Sequence, residues 1–595
     1  MKPDNPINDK GSGRYHLPAK LAIHLPAELN ELTGVLDQHL TWMASPKAAA
    51  DLLFLPDGRL PAEGYRLAIA ETGITIAYAD YQGAVWALSS LLAFIREDNL
   101  NYSQMTGQPR LSLRGYLLDI SRDKLPTMAS LREIIDAMML LKLNHLELYG
   151  EGFSQRLPSF PDLPYDEALS MAEFEDLQAY ARIRGIDLVP NINTFGHMTK
   201  WLALPKYSHL AESPSGFSLE GYPFPPSTLD PLQAESQELA KQIIADFLEV
   251  SRSPYFHVNG DEPFELGQGK SKAACASEGR GNIYLRHVGP LLEFLVERGI
   301  RPLLWGDVLR THPEVIGELP PSTIIVDWGY DRDYDFSRLA KAVAGRRKLI
   351  LAPGTSSWNS FTSRFKDMKA SIDNALRTAF DTQALGMLLT DWGDFSHPQP
   401  LVISYPALVY FANMCWSGAA NLDDVAAWTD RHLFGQERYA EIIIDSAGYA
   451  DLEPRYLHNR TVTFASWMYV DKSGNRPLAF KHAIWINALS QMPLGDDAAR
   501  RILALVGRNL HLLGGKSDLI AREITQALLL VKAGVLLNQV ANGDRKAVAE
   551  AKETLQAISG NYRQLWLRRN RAAGLDESYK TLEILLAFLD NFHSI

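Results

Sequence analysis

The sequence predicts an α/β chain in three parts. A (β/α)8 TIM barrel over residues 111–418 follows a small α+β domain over 1–110 and precedes an all-helical domain over 419–595. Three observations predict this. Through the middle of the chain, eight short runs rich in leucine or β-branched residues alternate with amphipathic helical stretches; that alternation specifies a parallel sheet, and eight strands close a barrel. Before them, one alternating run is followed by a stretch apolar at helical spacing. After residue 419 no clear strand remains, and leucine and alanine recur every three or four residues.

In the first part, Gly73-Ile74-Thr75-Ile76-Ala77-Tyr78 alternates as a strand does, and 81–97 carries Ala84, Trp86, Ala87, Leu88, Leu91, Leu92 and Phe94 at helical spacing. Residues 102–109 read as a polar connector punctuated by glycine and proline. The barrel strands are expected at 114–120, 145–149, 187–193, 255–260, 302–306, 323–328, 348–352 and 385–391. Helices fall between them at 130–141, 173–184, 232–250, 283–298 and 365–380. In the third part, 498–513, 519–540 and 582–592 read as helices packed on the barrel or on a second subunit, so a homodimer is one assembly this region allows.

The net charge of -11 argues against nucleic acid or an anionic membrane as the main partner, since either selects a basic face. Two cysteines, Cys275 and Cys415, are too few for a secreted disulfide scaffold and read as buried or half-buried thiols. No Cys/His cluster offers a zinc site. Residues 1–18 are polar without an apolar core, unlike a signal peptide, and no apolar run reaches the ~20 residues that span a bilayer. A cytoplasmic location is expected.

Active groups of such a barrel sit at the C-terminal ends of its strands. Those positions hold Asp119, Arg122, Tyr149, Glu151, Asn193, His197, Asn259, Asp261, Glu262, Trp305, Asp307, Asp327, Trp328, Trp358, Asp391, Trp392 and Asp394. Carboxylates accept from sugar hydroxyls and indoles stack on pyranose faces, so this rim suits a carbohydrate. The fourth strand ends in Asn259-Gly260-Asp261-Glu262-Pro263. Glycosidic cleavage needs a proton donor at the leaving oxygen and a group that stabilises the anomeric carbon. Adjacent acids suit a scheme in which the substrate's own 2-acetamido oxygen attacks, one acid holding the acetamido group and the other protonating the leaving group. Regular strand geometry sends neighbours to opposite faces, so the strand must break near Gly260. Pro263 is expected to bias Glu262 toward an extended conformation.

These residues resemble glycoside hydrolase family 20, the β-N-acetylhexosaminidases. The likeness runs from Gly64-Tyr65-Arg66-Leu67 and Ala84-Val85-Trp86-Ala87-Leu88 through Arg114-Gly115-Tyr116-Leu117-Leu118-Asp119, Asn193-Thr194-Phe195-Gly196-His197 and Asp261-Glu262 to Trp392-Gly393-Asp394, Tyr405-Pro406 and Trp416-Ser417. The resemblance implies an exo-acting, retaining hydrolase that releases terminal β-linked N-acetylglucosamine or N-acetylgalactosamine from a glycan or glycoconjugate, with no metal or organic cofactor. Asp261 would orient the acetamido nitrogen and Glu262 would be general acid, then base. Arg114 would bind O3 and O4, Asp394 would bind O4 and O6, and Trp305, Trp328 and Trp392 would wall the pocket. The family's acetamido-binding tyrosine has no counterpart near 352–359; Trp358 or Tyr330 stands in. Asn193 and Asn259 replace a usual aspartate and glycine. Glu147 to Phe153, with Phe195-Gly196-His197-Met198, is more similar to the hexosaminidase D branch.

Plainer roles are open for several of these. His197 either supports the site or caps a glycine turn. Glu151 and Asp307 are sugar ligands or loop acids. His145 and His257 read as structural, and Arg122 as an internal ion pair with Asp123. Two rivals remain: a catalytically silent amino-sugar-binding protein on the same fold, and a metal-dependent hydrolase, which needs more histidines at strand ends than His197 alone.

Overall fold

The computed structural model describes residues 13–219, 222–472, 474 and 476–592, so residues 1–12 of the polar N-terminal stretch lie outside the described residues. A six-stranded sheet comes first, ordered Trp42–Ala44, Leu21–His24, Leu52–Pro56, Gly73–Tyr78, Tyr65–Ala70, Ser103–Gly107. Gly73–Tyr78 buries Ile74, Ile76 and Tyr78 and turns the residues between outward, the period of two that its sequence shows. Helix Tyr81–Arg96 covers the sheet; Asp80 caps it by accepting from Gly83 N at 2.8 Å. Ser103–Gly107, read as a connector, is a strand instead. It pairs antiparallel at the sheet's edge with Tyr65–Ala70 and buries little besides Met105, so it carries almost no apolar signal.

Eight parallel strands close the barrel: Leu113–Asp119, His145–Gly150, Asp187–Ile192, Tyr255–His257, Arg301–Trp305, Ile324–Trp328, Lys348–Ala352 and Gly386–Asp391. Leu118 pairs with Asp391 and Asp119 with Tyr149, which gathers the C-terminal ends at one rim. The fourth strand is shorter than expected, ending at His257, because Asn259 and Gly260 take left-handed φ of 61° and 78°. Leu117, Leu303, Val326, Ile350 and Leu388 fill the barrel interior, apart from the larger core under the helices. One polar layer interrupts it. Glu147, fully buried, meets His145 Nε2 at 2.6 Å and His257 Nδ1 at 2.7 Å and accepts from Asn191 Nδ2 at 2.6 Å. Burial pushes the Glu147 carboxyl up, but the two imidazoles outweigh it and hold the group below the usual range. His145 and His257 thus sit within the barrel, beneath the rim.

The chain ends in helices Asp496–Leu513, Leu519–Ala541, Ala547–Arg569 and Leu575–Asn591. Leu519–Ala541 is long and apolar enough to cross a membrane (mean hydropathy 1.4), where the sequence reading found no such run; 78% of that window is buried among its neighbours. Its Glu523 receives two hydrogen bonds from Arg569, at 2.6 and 2.9 Å. Cys275 is half-buried and Cys415 buried, both free thiols.

Candidate active site

Asp261 and Glu262 line one cavity of about 110 Å³ at the C-terminal rim. The backbone brings them there by abandoning strand geometry: Asn259, Gly260 and Glu262 all have positive φ. Asn259 tolerates this because its side chain is satisfied on both sides, donating to Asn191 Oδ1 at 2.8 Å and accepting from Trp305 Nε1 at 2.7 Å. Glu262 departs from the expected extended conformation; its φ is 44°, a strain of about 1–3 kcal/mol that only a rigid surround sustains. That surround is visible. Glu262 N donates to Asp307 Oδ2 at 3.0 Å, and Tyr284 OH donates to Gly260 O at 2.9 Å. Gly196 permits the third-strand loop to lie against the acids: a Cβ there would sit 2.3 Å from Asp261 O.

His197 is the electrostatic hub. Its Nε2 lies 3.5 Å from Asp261 Oδ2 and 3.4 Å from Glu262 Oε2, and its Nδ1 lies 3.6 Å from Glu151 Oε2. Burial disfavours the imidazolium, but Asp261, Glu262 and Glu151 overcome that and raise its pKa well above the ordinary value. Reciprocally, the His197 charge outweighs burial at Asp261 and holds that carboxyl low. Among the described residues, Asp261 Oδ1 is buried with no hydrogen-bond partner. Behind the acids, Asp307 is pushed up to about 7 by burial and by repulsion from Asp261. Opposite them Arg122 pairs with Asp119 at 3.1 Å, Asp394 at 3.2 Å and Glu151 at 3.3 Å. Burial still raises Asp394 despite Arg122.

Aromatic rings close the cavity. Trp392 Nε1 donates to Tyr330 OH at 2.9 Å and its ring meets Tyr149 edge-on at 4.7 Å. Trp328 stacks on Tyr330 at 5.4 Å, and Trp358, fully buried, meets Tyr330 edge-on at 5.0 Å. Trp305 is fixed by Asn259 and tilts against Trp392 at 6.2 Å.

Of the residues expected here, Asp261, Glu262, His197, Trp305, Trp328, Trp358, Trp392 and Asp394 line the cavity. Glu151 stands one layer behind, accepting from Tyr149 OH at 3.1 Å as well as from Arg122. Arg114 is elsewhere, and the expectation that it binds sugar hydroxyls is corrected. It is the second residue of its strand, at the end away from the rim, and is fully buried. There it pairs with Glu63 at 2.5 Å, donates to Lys142 O and Leu111 O, and lies over the rings of Trp86 and Trp416. The cavity's arginine is Arg122, and Asp123, its expected partner, pairs with Lys472 instead. Strand polarity carried this signal: Arg122 follows the strand's C-terminal end, whereas Arg114 precedes it by five residues. Asn459, from beyond the barrel, also reaches the cavity, and nothing in its local sequence marks it.

Two family models match the chain: glycosyl hydrolase family 20, catalytic domain, over residues 112–373, and glycosyl hydrolase family 20, domain 2, over residues 9–108. Among curated proteins the chain is similar to a beta-hexosaminidase of Akkermansia muciniphila, 23% identical over 41% of this chain and 55% of that one. It is also similar to human hexosaminidase D, 27% identical over 39% of this chain and 47% of that one. The chain thus spans about half the length of these two relatives. Among solved structures, a Flavobacterium johnsoniae chitobiase superposes over 98% of both chains at 17% identity, with a TM-score of 0.59. An exo β-N-acetylglucosaminidase of Vibrio harveyi superposes over 73% of this chain and 76% of that one, at 17% identity and a TM-score of 0.57. At these identities the superpositions speak for the fold.

Proposed function

The chain belongs to glycosyl hydrolase family 20, and from that premise we propose that it is an exo-acting β-N-acetylhexosaminidase working by substrate-assisted, retaining catalysis. One observation carries the reading. Two carboxylates adjacent in sequence face one aromatic-walled cavity, and the inner one, Asp261, keeps a buried oxygen without a partner among the described residues. An unpaired buried acceptor is costly unless a ligand supplies its donor, and an acetamido N–H is such a donor. With Asp261 Oδ1 holding that N–H, the acetamido oxygen is turned toward the anomeric carbon. Tyr330 OH accepts from Trp392 and lies within hydrogen-bond reach of the Thr390 side chain; turned from Thr390 into the cavity, its proton would serve the acetamido oxygen, the role for which sequence offered Tyr330 or Trp358.

The steps balance. The acetamido oxygen bonds to the anomeric carbon as the glycosidic C–O bond breaks and Glu262 gives its proton to the leaving oxygen. Water then adds at the anomeric carbon, Glu262 takes its proton, and the ring opens to the N-acetylhexosamine. Once Glu262 has given up its proton, protonated His197, between it and Asp261, offsets the repulsion between the two carboxylates. Arg122 and Asp394 hold ring hydroxyls at the opposite wall. Cytoplasmic residence and a homodimer belong to the same proposal.

The test compares 4-nitrophenyl β-N-acetylglucosaminide and β-N-acetylgalactosaminide with the β-glucoside. The mechanism expects nitrophenol from the acetamido sugars alone. Comparable cleavage of the glucoside refutes it, and failure to cleave any of them favours the silent sugar-binding alternative.

A further inference from the structure

The pair Arg122–Asp394 stands on two loops, one after the first barrel strand and one after the eighth, and the second lies outside both family-model matches. That second loop has unusual backbone. Phe395, Ser396 and His397, three successive residues with side chains, all have positive φ, at 54°, 83° and 47°. Residues other than glycine rarely enter this region, and a run of three persists only where neighbours over-determine it. The neighbours belong to the last two helices. Tyr562 OH lies 2.7 Å from Ser578 Oγ, which in turn donates to Ser396 O, and Ser396 Oγ lies 3.2 Å from Thr581 Oγ1. Ser396, Ser578 and Thr581 are all buried.

The same helical hairpin grips the first loop. Thr127 N donates to Arg569 O at 2.9 Å and Arg571 N to Leu125 O at 2.8 Å. Gly574, with φ of 73°, packs so closely that a Cβ there would lie 1.9 Å from Asp123 O. One element therefore touches Asp123, next to Arg122, and Ser396, two residues past Asp394, and the Arg122 and Asp394 side chains meet 3.2 Å apart in the cavity.

We infer that the C-terminal helical hairpin is a positioning clamp for the substrate-binding pair Arg122–Asp394, and that Ser578 and Thr581 are positioning residues that hold Asp394 through Ser396. This rests on the proposed reading in which Asp394 takes a sugar hydroxyl. It assigns the helical region work in specificity beyond covering the barrel.

The experiment measures kcat/KM for 4-nitrophenyl β-N-acetylglucosaminide and for its 4-deoxy and 6-deoxy analogues. The enzymes are the parent, Asp394→Ala, Ser578→Ala/Thr581→Val and Thr581→Ser. Asp394→Ala is expected to lose about 10–100-fold on the full sugar, as a lost hydrogen bond to a charged group does, and little on the analogue lacking its hydroxyl. The double variant is expected to show the same pattern at about tenfold, mostly in KM. Thr581→Ser, which keeps the hydroxyl, should behave as the parent. If the double variant does not fold, Thr581→Val alone, nearly isosteric, takes its place. A loss equal on all three sugars, or none, overturns the clamp while Asp394→Ala still discriminates. If Asp394→Ala itself fails to discriminate, the reading of Asp394 falls and the clamp with it.

Discussion

Gly196→Ala isolates the contact between the third-strand loop and the acidic pair. The added Cβ would lie 2.3 Å from Asp261 O and 3.3 Å from Glu262 O. Real Cβ contacts essentially never fall below 3.0 Å, so Asp261 or the loop retreats by about 0.7 Å, and neither neighbour is a flexible side-chain end. Gly196 is not among the glycines with positive φ, so the substitution adds bulk without dihedral strain. A displacement near 1 Å at a reacting centre costs on the order of 10²-fold in rate. The expected result is therefore a fall in kcat of roughly 10²-fold on 4-nitrophenyl β-N-acetylglucosaminide, with a smaller change in KM. Stability should fall by about 1–3 kcal/mol, the usual range for overpacking, and denaturant titration reads it. A folded variant with kcat within about threefold of the parent would refute the claim that Gly196 sets the position of Asp261.

Two further perturbations address the corrected arginine and the third acid. Arg114→Ala takes the countercharge from buried Glu63, leaving it the neutral donor Trp86 Nε1, and should cost about 3–5 kcal/mol in denaturant unfolding, with KM unchanged; a raised KM with full stability would return Arg114 to the sugar. Asp307 titrates near 7 in the fold against 3.8 unfolded, so the folded state binds its proton more tightly and this group removes stability as pH climbs from about 4 to about 7. Asp307→Asn should therefore gain in melting temperature relative to the parent across that window and hold the gain above it; a difference independent of pH contradicts the assignment.

The barrel was legible because strands facing helices outside and a packed interior inside are apolar on both sides, and all eight left that mark. The edge strand Ser103–Gly107 was not, since it buries little besides Met105. Helix Ala547–Arg569 went unread although Val548, Ala551, Leu555, Ile558, Tyr562 and Leu565 recur on its buried face at helical spacing, because only two of those six are leucines and the charged residues between them dilute the pattern. At the site, Asp261 and Glu262 were legible as paired acids past a strand end. Their convergence depends on positive φ at Asn259, Gly260 and Glu262, and only the glycine advertises that. Arg114 was misplaced because motif resemblance was followed where strand polarity pointed to Arg122. Asn459 reaches the cavity by tertiary packing, with its Oδ1 held by Arg364 at 2.8 Å, a contact 95 residues apart in sequence.

The most direct measurement is a crystal structure with the thiazoline analogue of N-acetylglucosamine, which mimics the cyclised intermediate. The account predicts the thiazoline nitrogen within hydrogen-bond distance of Asp261 Oδ1, its methyl group among Trp305, Trp328 and Trp392, and the Glu262 carboxyl beside the departed oxygen. A thiazoline bound with Asp261 Oδ1 still unpartnered, or with Glu262 turned away from the anomeric carbon, would contradict it.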